Sequence, residues 1–243
     1  MRLALERGQL DEARAQCDAV KQSAERSGDA QGLSTLSWLI GRIEKQSGRL
    51  AEARAAFSEA VTGYEQVRDR NGLARCTNEL GEIARLEGDL PTARAHYEEA
   101  LRVMVQLNSD NTDIVRVNLG LVLLSEGLPE RARPILEKAL AAFRDAGRLA
   151  LQATAQVALL SCAGAGAQWS EWDTRLLAAS RDLRKSCFVD VDIAWLLENA
   201  GREAAEHGQT HRVDAALALA EAQWRSLDRP NEVERVAAWR SQL

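Results

Sequence analysis

The residues that could do chemistry are few, and their spacing does not build a catalytic or metal site. His207 and His211 lie four apart, which would suit a metal pair on one helix, but Gly208 lies between them at a predicted turn. The AGAGA run at 163–167 lacks the Gly-Lys-Ser/Thr that follows in a phosphate-binding loop. No serine or cysteine has a recognisable nucleophile motif or base nearby in the sequence. We therefore predict no enzyme activity, no bound metal and no cofactor.

Asparagine side chains suit binding better than catalysis. Asn78, Asn118 and Asn199 each carry a hydrogen-bond donor and an acceptor, so they could clamp the backbone of an extended peptide. The alternative is that asparagine is simply a common polar residue on a wet surface. The arrangement of the helices that carry these residues decides between the two.

The chain repeats one pattern about every forty residues. In each copy an alanine lies five residues after a glycine, a larger side chain lies four residues after that alanine, and a small residue lies three residues after the larger one. The copies begin at Gly8, Gly48, Gly88 and Gly127. Spacings of four and three place these residues on one helix face. The small residues allow two helices to approach closely, and the large residue fills the gap between them.

A second glycine precedes each later copy by seven residues, at Gly41, Gly81 and Gly120. Because glycine inside a helix costs about 1 kcal/mol relative to alanine, three in register indicate a partner helix that crosses against the backbone there. Each unit is therefore predicted as helix, glycine turn, helix. The predicted first helices are 30–47, 70–87, 110–126, 148–164 and 191–207. The predicted second helices are 10–27, 51–68, 91–107, 129–146, 169–186 and 211–227, and a last helix follows Pro230.

Composition and charge narrow the class of protein. A net charge of -5 argues against nucleic acid as the main ligand, because phosphate binding needs a basic face. No apolar run approaches the ~20 residues that span a bilayer, and the start has no signal peptide, so we expect no membrane partner and a cytoplasmic location. The four cysteines are scattered without a CxxC pair, and we expect buried free thiols in a reducing compartment.

With these positions placed, the chain resembles the tetratricopeptide repeat (TPR), whose pattern has Leu-Gly in the first helix and Ala-x3-Phe followed by Ala in the second. The matching residues are Ile40-Gly41, Ala53, Phe57 and Ala60; Leu80-Gly81, Ala93, Tyr97 and Ala100; and Leu119-Gly120, Ala132, Leu136 and Ala139. The period is 39–40 residues rather than about 34, and the family's leading aromatic, first-helix tyrosine and terminal proline are absent. Such long variants are similar to arrays of bacterial multidomain signalling proteins, where they follow a kinase or an ATPase module.

The predicted fold is all-α, a right-handed superhelical solenoid of helix-turn-helix repeats with a C-terminal capping helix. About six repeats are predicted over 1–228, with a cap after them: 1–29 (partial), 30–69, 70–109, 110–147, 148–189 and 190–228, then the cap at 229–243. The resemblance is strong to about residue 146 and weaker beyond, where the fifth repeat keeps a glycine turn but loses the alanine. Because Met1 lies seven residues before the first glycine, we expect a fragment of a longer protein, with a naturally short cap as the alternative.

In a solenoid of helix pairs the first helices line a concave groove, and we predict that this groove binds a protein or peptide segment. The predicted apolar contacts are Trp38, Leu39, Val117 and Leu121, and the polar ones are Arg42, Asn78, Glu82, Arg85, Asn118 and Asn199. The same face of the sixth repeat offers Trp195, Glu198 and Arg202.

Two other functions stay open at this stage. The first is a sensor that closes around a peptide pheromone or a small molecule and switches an attached kinase or ATPase, as the resemblance to bacterial pheromone receptors implies. The second is self-assembly, giving a homodimer through the first repeat or the tryptophan-rich end. Five of the six tryptophans follow residue 168, where they could fill a core or form a recognition surface.

Overall fold

The computed structural model describes residues 10–242, with side chains for all of them except residues 10, 11 and 22. Within this range there are twelve helices: α1 (Leu10–Ser27), α2 (Ala30–Gln46), α3 (Leu50–Gln66), α4 (Arg70–Leu86), α5 (Leu90–Gln106), α6 (Thr112–Ser125), α7 (Pro129–Asp145), α8 (Leu149–Ala165), α9 (Trp169–Ser186), α10 (Val191–Glu206), α11 (Thr210–Ser226) and α12 (Pro230–Arg240). Each predicted helix is present, with ends within two residues of the prediction. The predicted turn at Gly8 lies outside the described residues.

The helices form two compact units, a first unit of Met1–Val115 and a second unit of Arg116–Leu243. In the first unit α2 packs on α3 and α4 on α5; in the second unit α8 packs on α9 and α10 on α11. Each of these pairs is the first and the second helix of one predicted repeat. The predicted fold class, an all-α solenoid of helix-turn-helix repeats, is confirmed, and the right-handed sense of the superhelix stays a prediction.

The turns inside the repeats are equivalent. Gly48, Gly88 and Gly127 have φ angles of +75°, +82° and +71°, in the left-handed region that glycine enters without steric cost. In each turn, the N–H of the glycine and of the next residue donate to carbonyls three and five residues earlier, at 2.8–3.1 Å. These are the two bonds of a Schellman motif, which satisfies the last carbonyls of the first helix. The prediction of one glycine turn per repeat is therefore confirmed at these three positions.

The fifth repeat makes the same turn without glycine. Its left-handed residue is Ala167, at φ +51°, while Gly166 has φ -88°, so the prediction that a glycine makes this turn is wrong. Counted from Ala167, the usual spacings of five, nine and twelve reach Trp172, Leu176 and Ala179, all buried. The fifth repeat therefore keeps the register of the others, with tryptophan where they have alanine.

The glycines in the first helices are contact points, as predicted. A Cβ built on Gly41 would lie 2.6 Å from the ring of Phe57, and one built on Gly81 would lie 3.0 Å from Tyr97. A Cβ on Gly120 would collide with Leu136. In each repeat the large side chain of the second helix thus lies directly on the backbone of the first. The small residues that flank it are fully buried: Ala53, Ala60, Ala93, Ala100, Ala132 and Ala139.

In five repeats the residue six positions after Gly8, Gly48, Gly127, Ala167 or Gly208 forms an ion pair with the next repeat or, from the sixth repeat, with α12. The pairs are Arg14 with Glu44, Arg54 with Glu87, Arg133 with Glu171, Asp173 with Arg212, and Asp214 with Arg240. In the fifth and sixth repeats this residue is an aspartate instead of an arginine, and its partner is an arginine instead of a glutamate. Exposed pairs of this kind contribute about 0–1 kcal/mol each, so they favour the correct register more than they stabilise the fold.

The cysteines divide by burial. Cys17, Cys76 and Cys162 are buried free thiols, as expected, and burial raises the pKa of Cys76 and of Cys162 to about 12. Cys187 is exposed, so the expectation of burial is wrong for this residue, which ends α9 in a left-handed conformation at φ +51°.

Replacing Ala167 with glycine should stabilise the protein. An L-residue in the left-handed region costs about 1–2 kcal/mol, and glycine removes this cost. Glycine also makes the unfolded chain more flexible, which cancels part of the gain in stability. We expect Ala167→Gly to raise the free energy of unfolding by about 0.5–1 kcal/mol in urea titrations, and Gly88→Ala to lower it by about 1 kcal/mol. A loss of stability in Ala167→Gly would contradict the turn geometry described here.

Candidate functional site

The predicted contact residues all lie on first helices, but they differ in exposure. Trp38, Arg42, Asn78, Glu82, Arg85, Asn118 and Asn199 are partly exposed. Leu39, Val117 and Leu121 are only 8%, 5% and 7% exposed, so they offer a partner little surface. Leu39 belongs to a core cluster with Ala13 and Cys17 of α1, because it lies about 100° around the helix from Trp38 and faces the preceding helix. Of the four predicted apolar contacts, Trp38 is the one that stays accessible.

In the first unit, two arginines contact the ring of Trp38. The guanidinium carbon of Arg75 on α4 lies 3.7 Å from the centre of the indole, and that of Arg42 on α2 lies 5.0 Å from it. A cation over an indole face is attracted by the negative face of the ring system. The indole Nε1 is buried and has no hydrogen-bond partner. The predicted contacts Trp38 and Arg42 are therefore brought together, and a side chain of the next first helix completes the group.

One turn further along α2, Lys45 pairs with two carboxylates of α4. Its Nζ lies 2.6 Å from Glu79 Oε2 and 2.7 Å from Glu82 Oε2, and the lysine side chain is 13% exposed. Burial lowers the pKa of Lys45, but the two carboxylates outweigh burial and leave that pKa raised. The predicted contact Glu82 is thus already engaged within the first unit.

In the second unit, side chains of α6, α8 and α10, together with Gly127 and Pro129 at the turn into α7, line a cavity of about 380 Å³. Cavities of this size hold small ligands or a few side chains. The lining residues that matter below are Leu124 on α6, Ser161 on α8, and Trp195, Asn199, Arg202, Glu203 and Glu206 on α10. Asn199 is the one predicted contact residue among the lining residues. Most of the wall therefore comes from the first helices α6, α8 and α10, and Pro129 of the second helix α7 completes it.

Trp195 is the most accessible aromatic side chain of this wall. It is 45% exposed, whereas Trp172 and Trp224 are 1% and 6% exposed and belong to the core. Trp195 and Asn199 lie four residues apart on α10, and Arg202 follows three residues later, so the three share one helix face. The tryptophan-rich end thus contains both core tryptophans and an accessible one.

Glu203 is a carboxylate without a full set of partners. Its Oε2 atom is buried and accepts no hydrogen bond, and a Cβ built on Gly164 of α8 would lie 2.8 Å from that atom. Burial raises the pKa of the Glu203 carboxyl above its ordinary value, and Glu206 adds to this, while Ser161 and His207 oppose it. The hydrogen bond with Ser161 therefore offsets only part of the desolvation of the ionised carboxylate.

The arginine of the cavity wall is engaged. Arg202 donates from Nη1 to Asn199 Oδ1 at 2.6 Å, and its Nη2 lies 3.6 Å from Glu198 Oε2. Glu198 is 1% exposed and also accepts hydrogen bonds from Trp224 Nε1 at 2.6 Å and from Arg235 at 2.5 and 2.9 Å. Glu198, predicted on the groove face, is therefore an anchor for the C-terminal helix.

The C-terminal helix α12 packs on the last helix pair. Val236 is fully buried in a cluster with Val213 and Leu217 of α11, and Trp239 lies against that cluster and 3.7 Å from a Cβ built on Gly201. The residues that line the cavity include none from α12, which is described in full. This helix therefore leaves the cavity of the second unit open.

Two parts of the cavity wall were not among the predicted contacts. Trp195 lies on the predicted face but is not among the predicted contacts, although the sequence contains a signal for it, an aromatic residue six positions before the packing glycine Gly201. Glu203 and Ser161 carry no such signal, because they are about forty residues apart in the sequence and meet only when α8 and α10 pack.

Residues 10–242 were predicted to hold neither a metal site nor a membrane span, and neither feature is found among them. No group of three or more histidine, cysteine, aspartate or glutamate side chains there could hold a metal ion. His207 ends α10 and His211 lies in α11, so the two do not share a helix. Within the same residues, no helix is long and apolar enough to cross a bilayer.

Comparison with known families agrees with the repeat pattern. The family model described as the tetratricopeptide repeat matches residues 73–145, which confirms the resemblance inferred from the glycine and alanine spacing. No curated protein matches the chain.

Solved structures of low sequence identity have the same fold. BtubC (BKLC) from P. vanneervenii is 18% identical with a TM-score of 0.68, over 93% of this chain and 92% of that chain. A Rap protein complexed with Competence and Sporulation Factor is 10% identical with a TM-score of 0.69, over 99% of this chain and 72% of that chain. YrrB, a TPR protein with an unusual peptide-binding site, is 17% identical with a TM-score of 0.56, over 93% of this chain and 100% of that chain. At these identities the likeness shows the fold alone.

Removing the Lys45 side-chain charge should destabilise the first unit. Lys45→Met leaves Glu79 and Glu82 facing each other without a cation, and breaking a mostly buried pair in this way should cost about 2 kcal/mol in urea unfolding. The matched control is Arg102→Met, which breaks an exposed pair with Glu99 and should change stability by less than about 0.5 kcal/mol. Equal effects of the two substitutions would show that the Lys45 pair has no special role.

Neutralising Glu203 should stabilise the second unit at neutral pH. Because its folded-state pKa is raised, the wild-type protein loses stability as the pH rises through that value, and glutamine does not. We expect Glu203→Gln to melt at least about 2 °C above wild type at pH 7.5, with the difference shrinking towards pH 4. A difference that grows towards pH 4 would contradict the direction of the pKa shift.

Proposed function

We propose that this chain, which is a tetratricopeptide-repeat protein, binds a segment of a partner protein in the cavity that α6, α8 and α10 line. The observation that carries the proposal is the presence of Trp195, 45% exposed, beside Asn199 in a cavity walled mainly by three first helices. A tryptophan costs free energy when its indole stays in water, and burying it against a partner recovers that free energy. No catalytic step is part of the proposal.

The chemistry of the wall suits a peptide segment. Trp195 and Leu124 offer apolar surface, while the side-chain amide of Asn199 offers hydrogen-bonding groups that a peptide backbone can use. Interfaces commonly combine an aromatic anchor with a few placed polar groups. YrrB, which has this fold, is described as having a peptide-binding site, and that description supports the same class of ligand here.

The first unit is proposed as a second contact surface. Its accessible residues are Trp38, Arg42, Asn78, Glu82 and Arg85, all on α2 and α4. Arg42 and Arg75 already contact the Trp38 ring, so a partner would meet the charged groups of these arginines as well as the indole. Asn118 on α6 is proposed as a further polar contact of the second unit.

A second candidate function is an effector sensor. A Rap protein of this fold was solved in complex with Competence and Sporulation Factor, and a similar effector could switch a kinase or an ATPase linked to this chain in a cytoplasmic bacterial signalling protein. A thermal-shift screen against short peptides and metabolites tests this candidate, because an effector that binds only the folded state raises its Tm. Light scattering across a dilution series tests the remaining alternative, a homodimer.

Substituting Trp195 should abolish peptide binding without unfolding the chain. Peptides are first selected from a displayed random library against the full chain, and their Kd values are measured by calorimetry. We expect Trp195→Ala to weaken the selected peptides at least tenfold, because an interface tryptophan removed from a pocket costs about 2 kcal/mol or more. We expect Asn199→Ala to weaken them severalfold.

The matched control is Leu177→Ala on α9, which removes another accessible apolar side chain, 70% exposed, that lies outside this cavity. It should leave the Kd unchanged within twofold. Melting temperatures of all variants are compared, so that loss of binding is separated from loss of fold. Selected peptides that bind Trp195→Ala as well as wild type would remove the proposal.

A further inference from the structure

We infer that the cavity of the second unit binds a basic side chain, lysine or arginine, of the bound segment, with its cationic group at Glu203 and Glu206. This inference rests on the proposed function and adds the chemical class of the ligand. It is argued from the charges of the wall, from the unpartnered oxygen of Glu203 and from the way the chain pairs its other inner-face charges.

The wall of the cavity is acidic at one end. Two carboxylates line it, Glu203 and Glu206, against one guanidinium, Arg202. Arg202 is already bound to Asn199 and lies beside Glu198, which also holds Arg235. The free charge that the cavity presents to an occupant is therefore negative, and it favours a cation.

Glu203 lines the cavity and has one carboxylate oxygen without a hydrogen-bond partner. Its Oε2 atom accepts no hydrogen bond, although it is buried beside Gly164. A buried carboxylate oxygen without a partner keeps the full penalty of its desolvation. A cation that enters the cavity would offset this penalty. The desolvation of Glu203, which destabilises the free protein, would therefore be compensated in the complex and would favour binding.

The first unit shows what a satisfied arrangement of the same type looks like. There Lys45 of α2 lies between Glu79 and Glu82 of α4, within 2.7 Å of both. In the second unit Glu203 and Glu206 have the same spacing of three residues on α10, one helical turn later relative to the packing glycine than Glu79 and Glu82. The preceding first helix, α8, has no charged residue at any position. A cation that pairs with Glu203 and Glu206, as Lys45 pairs with Glu79 and Glu82, would therefore come from the ligand.

The geometry of α10 also orients the segment. Glu203 and Trp195 are eight residues apart, which is about 12 Å along a helix. An extended peptide covers that distance in about three to four residues, at about 3.4 Å each. A segment with its basic side chain at Glu203 therefore places an apolar side chain within four residues against Trp195.

The test uses two kinds of probe on the full chain. N-acetyl-arginine methylamide and its neutral isostere, N-acetyl-citrulline methylamide, are titrated while the indole N–H of Trp195 and the amide of Ser161 are followed by NMR. The peptides selected for the proposed function are then made with each basic residue replaced by citrulline or norleucine. We expect the arginine probe to bind at least fivefold more tightly than citrulline, and the peptides to weaken at least tenfold on replacement.

Glu203→Gln should weaken the basic peptides at least tenfold while raising the Tm of the free protein, so that loss of binding cannot be attributed to unfolding. The matched control is Glu234→Gln, which removes an equal charge at an exposed position of α12 and should change the Kd by less than twofold. High salt should weaken the basic peptides and leave the citrulline forms unchanged.

The outcomes separate the inference from the proposed function. Peptides that depend on Trp195 but contain no basic residue, or that tolerate citrulline, overturn the inference and leave the proposed function standing. Failure to find any peptide whose binding depends on Trp195 overturns both. Equal loss in Glu203→Gln and Glu234→Gln would show a long-range charge effect and would also overturn the inference.

Discussion

The structure depends on one contact, the packing of a large side chain of each second helix directly on a glycine of the first. Phe57 on Gly41, Tyr97 on Gly81 and Leu136 on Gly120 leave no space for a Cβ. The alanines on either side of the large residue are fully buried, so the two helices approach as closely as their backbones allow. Glycine weakens an isolated helix, and the close contact that it permits offsets that cost.

This contact fixes which side of each first helix remains available for other contacts. The side of α2, α4 and α10 that does not meet its own second helix carries the aromatic and charged residues discussed above. In the first unit those residues satisfy each other, with Trp38 in contact with two arginines and Lys45 between glutamates. In the second unit the corresponding surface contains a cavity, an accessible tryptophan and a carboxylate oxygen without a partner. The two units have the same helix-pair scaffold, but the charged side chains of the first unit are paired with each other and Glu203 of the second is not fully paired. A ligand therefore gains more binding free energy in the second unit.

The C-terminal helix α12 covers the end of the repeat array but leaves the cavity of the second unit open. Glu198 is buried and binds Trp224 and Arg235, so its charge is compensated by α11 and α12 rather than by a partner. A buried carboxylate of this type specifies where the last helix docks, because any displaced position leaves the charge unpaired. Glu203, five residues later on the same helix, is compensated only in part by Ser161, and its Oε2 has no partner. The contrast between the two carboxylates is the physical basis for assigning them different roles.

The sequence by itself determined the helices, their ends and the turns between them, because the spacings of four and three and the left-handed glycines are local properties. It also determined that Gly41, Gly81 and Gly120 meet a partner helix, since only close packing explains glycine in those helices. It did not determine which neighbours meet across forty residues. Leu39 turned towards α1, Ala167 took a turn expected of glycine, and Glu203 met Gly164 only through the packing of α10 on α8. Burial and the partners of a charge are properties of such long-range contacts, and therefore only the tertiary structure decided where a ligand could bind.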